Sequence, residues 1–478
     1  MSDTPPPVSP RAGRIGLLAG IAILLAVLLL PPPPGLSAPG WHTLGLVVLM
    51  VLWWTTEPVP IAVTALLPII LLPLMGVLTL DQAAAPYANP LVFLFLGGFL
   101  LAAGLQRWGL HRQIAFAMLR WLGGSPRRLV LGFMLASAFM SIWISNTATV
   151  LLLLPVAAGI SRDIGADIVN RRNFAAALML GVAYGASIGG VGTLIGSPPN
   201  ALVAGYLSSR QGIDISFLAW SAATLPFVAL FLPLAWLVLT RLTHPLPMGR
   251  MASPRAATRL PPLSAAERRV AAVFALAAAL WIARPALNAL PGLTVLSDSA
   301  IALACAALLF VIPSNSPEGG ALLRWADTRD LPWNVLLLFG GGLALAAATD
   351  VTGLAGWIGG WLGGLGHMHR VPYLLVLVAT FVFLTEMTSN TALVAALLPV
   401  AAEVARTSGM DIAVLGVALA MAASCAFMLP MATPPNALVF ASGHVRITDM
   451  LRAGLVLNMI SIVLVSLACW TYLPRVLP

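Results

Sequence analysis

Apolar residues run through this chain in long continuous blocks, separated by short polar breaks. Cutting the sequence at charges leaves eleven blocks, near 14–30, 41–56, 59–78, 90–106, 173–206, 216–240, 267–284, 298–313, 332–350, 411–442 and 452–474. An α-helix needs about 20 apolar residues to cross hydrocarbon, and these blocks are of that order. A membrane β-barrel would alternate apolar and polar positions instead. The pattern predicts an all-α polytopic membrane protein with about eleven transmembrane helices. The first block, following Arg11 and Arg14, also has the layout of a secretory leader, but its length favours a retained helix.

Two places break the pattern. SIWISNTATVLLLLPV (141–156) and TEMTSNTALVAALLPV (385–400) set hydroxyl and amide side chains inside apolar sequence. An unpaired polar group in hydrocarbon costs several kcal/mol, so each cluster is either satisfied by protein or built to hold something. A shift of 244 residues superimposes them. The same shift lays Gly97-Gly98 on Gly341-Gly342, Pro155-Val156-Ala157 on Pro399-Val400-Ala401, and Arg162 on Arg406. After an eight-residue change of register, SPPNALV (197–203) falls on TPPNALV (433–439). The chain is therefore a repeat: a tail and first helix over 1–40, one repeat over 41–242, a linker over 243–265, and a second repeat over 266–478.

The segments around the triplets, about 128–162 and 371–406, are long enough for two half-helices each, with Ser-Asn-Thr near the middle. They are expected to be re-entrant hairpins that add no crossing. Corresponding elements then lie five crossings apart, and an odd number makes the repeats inverted. Adjacent prolines cannot continue an α-helix, so the helices over about 173–206 and 411–442 should be broken at GSPPN and ATPPN. Inverted repeats with interrupted helices at membrane depth are characteristic of secondary transporters.

Composition agrees: 60% of the 478 residues are hydrophobic, and 9% are charged. All 25 basic residues are arginine. With the N-terminus inside, Arg210, Arg284, Arg370, Arg406 and Arg475 fall outside and the other twenty inside, as expected for a multi-pass protein of the cell membrane. The net charge of +9 is thus topological and calls for no nucleic-acid partner. Cys305, Cys425 and Cys469 lie in apolar sequence without ligand-like spacing and read as core residues.

The hairpin tips offer hydroxyls and amides; the proline breaks offer further hydroxyls and free carbonyls. Such oxygens suit an alkali cation, and half-helix N-termini favour an anion. No Arg or His stands in the hairpin cores or broken helices, so an anionic substrate needs a co-bound cation. Sodium-coupled anion uptake follows, with no pair of groups fit for enzymatic acid–base chemistry. Glu386, with Ile142 at the matching place, is a candidate functional acid by its depth. Glu57 reads as an interfacial charge, and His367 and His369 as surface histidines.

The two Ser-Asn-Thr triplets, SPPN, TPPN and the opening WWTTEPVPIAVTALLPIILLPLMGV resemble the divalent anion/sodium symporter family over nearly all of the chain after residue 40. The resemblance implies a homodimer whose protomers carry a scaffold and an elevator-like transport domain. It implies transport of C4-dicarboxylates (succinate, malate, fumarate) with sodium. Residue by residue, one sodium site maps onto Ser141, Ser145, Asn146 and the backbone of Gly196, the other onto Thr385, Thr388, Asn390 and the backbone of Ala432. The substrate maps onto Ser145, Asn146, Thr147 and Ser197, and onto Ser389, Asn390, Thr391 and Thr433, with Pro198 and Pro434 shaping the walls. No basic residue replaces a mapped sodium ligand, which favours symport over exchange. A sodium-independent dicarboxylate exchanger, a citrate or sulfate carrier and a channel remain as alternatives.

Overall fold

The computed structural model of the chain describes residues 10–111, 113, 117, 125–164, 171–247, 262–292, 295–316, 319–363 and 370–478. Residues 248–261 of the central linker, and His367 and His369, lie outside them. Among the described residues the structure is helical, with a lone β-bridge between Pro313 and Ala321. Among the described residues, eight helices of 18 residues or more are apolar enough to cross a membrane, and six shorter apolar helices accompany them. The shorter ones include Ile61–Leu74 and Asp298–Val311, each occupying a block that the sequence pattern assigns to a crossing.

Helix bounds repeat at the spacing of the motifs. Pro126–Ser141 and Asn146–Ile164 recur 244 residues later as Arg370–Thr385 and Asn390–Ser408. Each pair is joined by a four-residue tip: 142–145 in the first hairpin and 386–389 in the second. Arg171–Gly190 and Pro198–Gln211 form the first interrupted helix, Ile412–Ala423 and Pro434–Ala441 the second. The prolines do not sit in the gap. Pro198-Pro199 and Pro434-Pro435 occupy the first two positions of the second half-helix, where an amide donor is not needed and φ is already helical. The unwound stretches, 191–197 and 424–433, lie ahead of them.

The two halves of the chain interlock. Pro90–Arg107 packs on Asp298–Val311, and its counterpart Trp333–Val351 packs on Ile61–Leu74. The second arm of each hairpin packs against the Pro-Pro-Asn half-helix of the other repeat: Asn146–Ile164 on Pro434–Ala441, and Asn390–Ser408 on Pro198–Gln211. Close approach depends on glycine at particular points. A Cβ on Gly185 would stand 2.7 Å from the Met134 carbonyl oxygen, and one on Gly454 would run into the Phe427 backbone.

Candidate functional site

Each polar tip lies against the unwound stretch of its own repeat. In the first, Ser141 ends the entering helix and is fully buried; its Oγ donates to Asn146 Oδ1 at 2.5 Å. A Cβ on Gly190 would collide with that same amide, and one on Gly196 would lie 2.5 Å from the Gly190 carbonyl oxygen and 2.9 Å from that of Ser141. Ser141 Oγ, Asn146 Oδ1 and the backbone carbonyls of Ser141 and Gly190 thus crowd around Gly190 and Gly196. Only residues without a Cβ leave room there.

The second tip repeats the arrangement. Thr385, fully buried, donates its hydroxyl to Asn390 Oδ1 at 2.7 Å or to the Ala423 carbonyl at 2.9 Å. The two hydroxyls are repeat-related, as are the two asparagines.

Of the other predicted residues, Ser145 accepts a hydrogen bond from the Ala148 amide, and Thr388 donates back to the Leu384 carbonyl of the entering helix. Ser145, Asn146 and Thr147, like Ser389 and Asn390, are partly exposed; Thr391 is buried. Ser197 and Thr433 are the N-caps of the Pro-Pro-Asn half-helices and are buried. Thr433 accepts from the Asn436 amide, whereas the Ser197 side chain makes no capping bond. Pro198 is half-buried and Pro434 exposed, while Ala432 is buried beside Thr433.

An unwound stretch at membrane depth must have its backbone groups paired. In the first, Asn200 Nδ2 donates to the carbonyls of Gly190 and Thr193, Trp220 Nε1 to Val191, and Thr193 Oγ1 to Ile142 of the tip. In the second, Asn436 Nδ2 donates to Ala426 and Leu429, and Tyr184 Oη to Phe427. Val191 and Phe427 correspond in the shifted register, so an aromatic donor from a different helix holds the same carbonyl in each repeat.

Glu386 supplies what the second stretch needs on its amide side. The residue is 3% exposed. Its Oε1 accepts from the Phe427 and Met428 amides and from Asn458 Nδ2, and its Oε2 from the Leu429 amide. The carboxylate therefore pins the tip to the unwound stretch, the task that Thr193 performs from the other side in the first repeat.

Sequence reasoning missed Asn200, Asn436, Tyr184, Trp220, Thr193 and Asn458. The two asparagines were signalled by the repeated Pro-Pro-Asn. A lone tyrosine or tryptophan in an apolar helix carries no such mark. Glu57, the C-cap of Ala38–Thr56, adopts a left-handed φ of 43° and is exposed.

Comparison with known proteins bears on what such a site handles. A family model described as the sodium:sulfate symporter transmembrane region matches residues 12–476. The chain is 38% identical over 478 residues to the sodium-dependent dicarboxylate transporter SdcS of Staphylococcus saprophyticus, covering 97% of this chain and 92% of that protein. SdcS of Staphylococcus aureus strain USA300 is 37% identical over 476 residues, with the same coverage. Among solved structures, the Alcanivorax borkumensis YdaH transporter has a TM-score of 0.60 at 17% identity, covering 90% of this chain and 98% of that one. Neisseria gonorrhoeae MtrF has a TM-score of 0.55 at 14% identity, covering 99% and 96%. At these identities the two structures speak for the fold alone.

Proposed function

Because this chain belongs to the sodium:sulfate symporter family, we propose that it is a sodium-coupled secondary transporter that imports C4-dicarboxylates such as succinate, malate and fumarate. The observation that carries this reading is the pair of oxygen clusters, Ser141 with Asn146 and Thr385 with Asn390, each set against an unwound stretch. An alkali cation takes such oxygens as ligands, and a dicarboxylate then finds the positive charge that the side chains do not provide.

The chemistry follows from the hydrogen bonds. As it stands, each hydroxyl donates to an asparagine Oδ1. An arriving sodium ion takes both oxygens, and the hydroxyl proton turns aside; for Thr385 the Ala423 carbonyl is already within reach to receive it. Each asparagine then offers Oδ1 to the cation and keeps Nδ2 for a substrate carboxylate, coupling the two. Ser145 and the Gly196 backbone complete the first cation site, Thr388 and the Ala432 backbone the second. Thr147 and Ser197 on one side, Ser389, Thr391 and Thr433 on the other, receive the substrate between walls shaped by Pro198 and Pro434.

The hairpins and interrupted helices form the moving part of an elevator, the remaining helices the scaffold of a homodimer in the cell membrane, with the N-terminus in the cytoplasm. The sorting of arginines and the interlocked scaffold helices support that arrangement.

The test is succinate uptake into proteoliposomes, driven by an inward sodium gradient and compared with equal potassium or choline. Uptake that requires sodium and grows with an inside-negative potential is the expected result. Uptake indifferent to sodium but stimulated by internal dicarboxylate makes the protein an exchanger and removes both cation sites.

A further inference from the structure

We propose that the arginine-rich side of the protein carries a second anion site, separate from the transport site, that takes a phosphate group. A cavity of about 290 Å3 opens there, and Arg172, Thr243, His244, Arg446, Asp449 and Arg452 are among its lining residues. They come from both repeats. Arg172 stands at the start of Arg171–Gly190, Thr243 and His244 at the end of the helical segment that begins at Phe217, and Arg446 to Arg452 at the start of Ile447–Thr471.

Three guanidinium groups share this cavity with one carboxylate, and that carboxylate is already engaged. Both Asp449 oxygens accept from Arg172 Nη2, at 3.2 and 3.1 Å, and Oδ2 also accepts from the Arg446 amide at 3.0 Å. Among the described residues the side-chain ion partners of Asp449 are Arg172 and His244, and no carboxylate pairs with the Arg446 or Arg452 guanidinium.

His244 adds no compensating charge. It is 3% exposed; its Nδ1 lies 2.9 Å from Thr243 Oγ1, and its Nε2 is 3.7 Å from Asp449, beyond hydrogen-bonding reach. With His244 neutral, three arginines and one aspartate leave an excess of two positive charges in one small space.

Two helix N-termini add to it. Arg171–Gly190 and Ile447–Thr471 both begin here; the Arg446 side chain makes no capping hydrogen bond to the latter, whose N-cap amide is held by Asp449. Arginine forks and free helix amides are the donors that hold phosphate oxygens. A phosphate group concentrates about two negative charges on one centre near neutral pH, which matches the excess. Bound there, it adds a further tie between elements of both repeats that the Arg172–Asp449 pair already links.

The phosphate group can belong to a soluble compound or to a lipid, and one experiment separates the two. The purified full chain in detergent is titrated with inorganic phosphate in sodium-free buffer of constant ionic strength, and melting is followed against equal chloride. In parallel, native mass spectrometry records phosphatidic acid retained from mixed phosphatidic acid/phosphatidylcholine micelles. The comparison is with the double variant Arg446→Gln/Arg452→Gln and the single variant Arg452→Gln, each accepted only if it keeps sodium-driven succinate uptake.

A soluble source predicts that phosphate raises the melting temperature and that the double variant weakens its apparent affinity at least about tenfold, the single variant less. A lipid source predicts retained phosphatidic acid that both variants lose, with phosphate acting only on delipidated protein. Wild-type protein that responds to neither probe overturns the site. So do variants that respond to both as the wild type does.

Discussion

Glutamine at position 386 keeps the shape of the glutamate and changes one oxygen into an amide nitrogen. The native carboxylate accepts four hydrogen bonds from buried donors: the amides of Phe427, Met428 and Leu429, and Asn458 Nδ2. In Glu386→Gln the three bonds to Oε1 become neutral ones, each weaker by about 1 kcal/mol. The new NH2 faces the Leu429 amide donor to donor, leaving a buried group unpaired at about 1–3 kcal/mol. The sum, about 4–6 kcal/mol, falls on the unwound stretch 424–433 and shifts its ordering equilibrium by about a thousandfold or more. The helices themselves keep their own hydrogen bonds.

The expected phenotype is therefore local. Glu386→Gln inserts into the membrane with normal helix content by circular dichroism, melts several degrees lower, and needs much more sodium to reach half-maximal succinate uptake. Glu386→Ala, which loses all four bonds, is worse on each count. Thr193→Val tests the counterpart at the first tip and should show the same pattern more weakly, since it removes the bond to the Ile142 carbonyl and the one accepted from the Gly196 amide. A Glu386→Gln protein with wild-type melting and wild-type sodium dependence would refute the reasoning that the carboxylate holds this stretch in place.

Asn146→Ala and Asn390→Ala are each expected to abolish sodium-driven uptake in protein that still purifies as a folded species; near-normal uptake by either removes that asparagine from the site. Gly196→Ala puts a Cβ 2.5 Å from the Gly190 carbonyl and 2.9 Å from the Ser141 carbonyl, both backbone atoms that cannot swing away. It should weaken sodium activation at least tenfold, a loss of about 1.4 kcal/mol or more, and unchanged sodium activation would show that the cradle is not the cation site. Burial lowers the pKa of His244, outweighing the raising effect of Asp449, while Arg172 and Arg452 lower it further. The folded protein thus resists a proton that the unfolded chain accepts, so stability is complete above the ordinary histidine pKa of about 6.5 and declines as pH falls below it. Melting curves between neutral and mildly acidic pH should show this decline, reduced in His244→Gln; an equal decline in the variant assigns it to another group.

Much of the architecture is local in origin and so was written in the sequence. Runs of about 20 apolar residues specify membrane helices because hydrocarbon leaves a backbone no other way to satisfy its polar groups. Proline pairs specify where a half-helix starts, because the ring fixes φ and removes a donor. A Ser-Asn-Thr triplet that occurs twice at a fixed spacing cannot be chance among leucines and alanines, and it marked the polar clusters that open at Ser141 and Thr385; pairing these two with Asn146 and Asn390 was implied only by the resemblance to the symporter family. The position of the unwound stretches ahead of the proline pairs was less legible, since VGTLIG holds no residue that forbids a helix and SCAFMLPM only Pro430 near its end.

What the tertiary structure decided is how those stretches are kept open. Tyr184 reaches the Phe427 carbonyl and Asn458 reaches Glu386 across separations of 243 and 72 residues. Trp220 reaches Val191 from the following helix. A hydrogen bond between distant segments has no periodicity and no spacing rule, because its geometry is set by the packing of whole helices. The sequence marked the hydroxyl and amide groups gathered at the tips; the packing determined which side chains hold the stretches beside them in place.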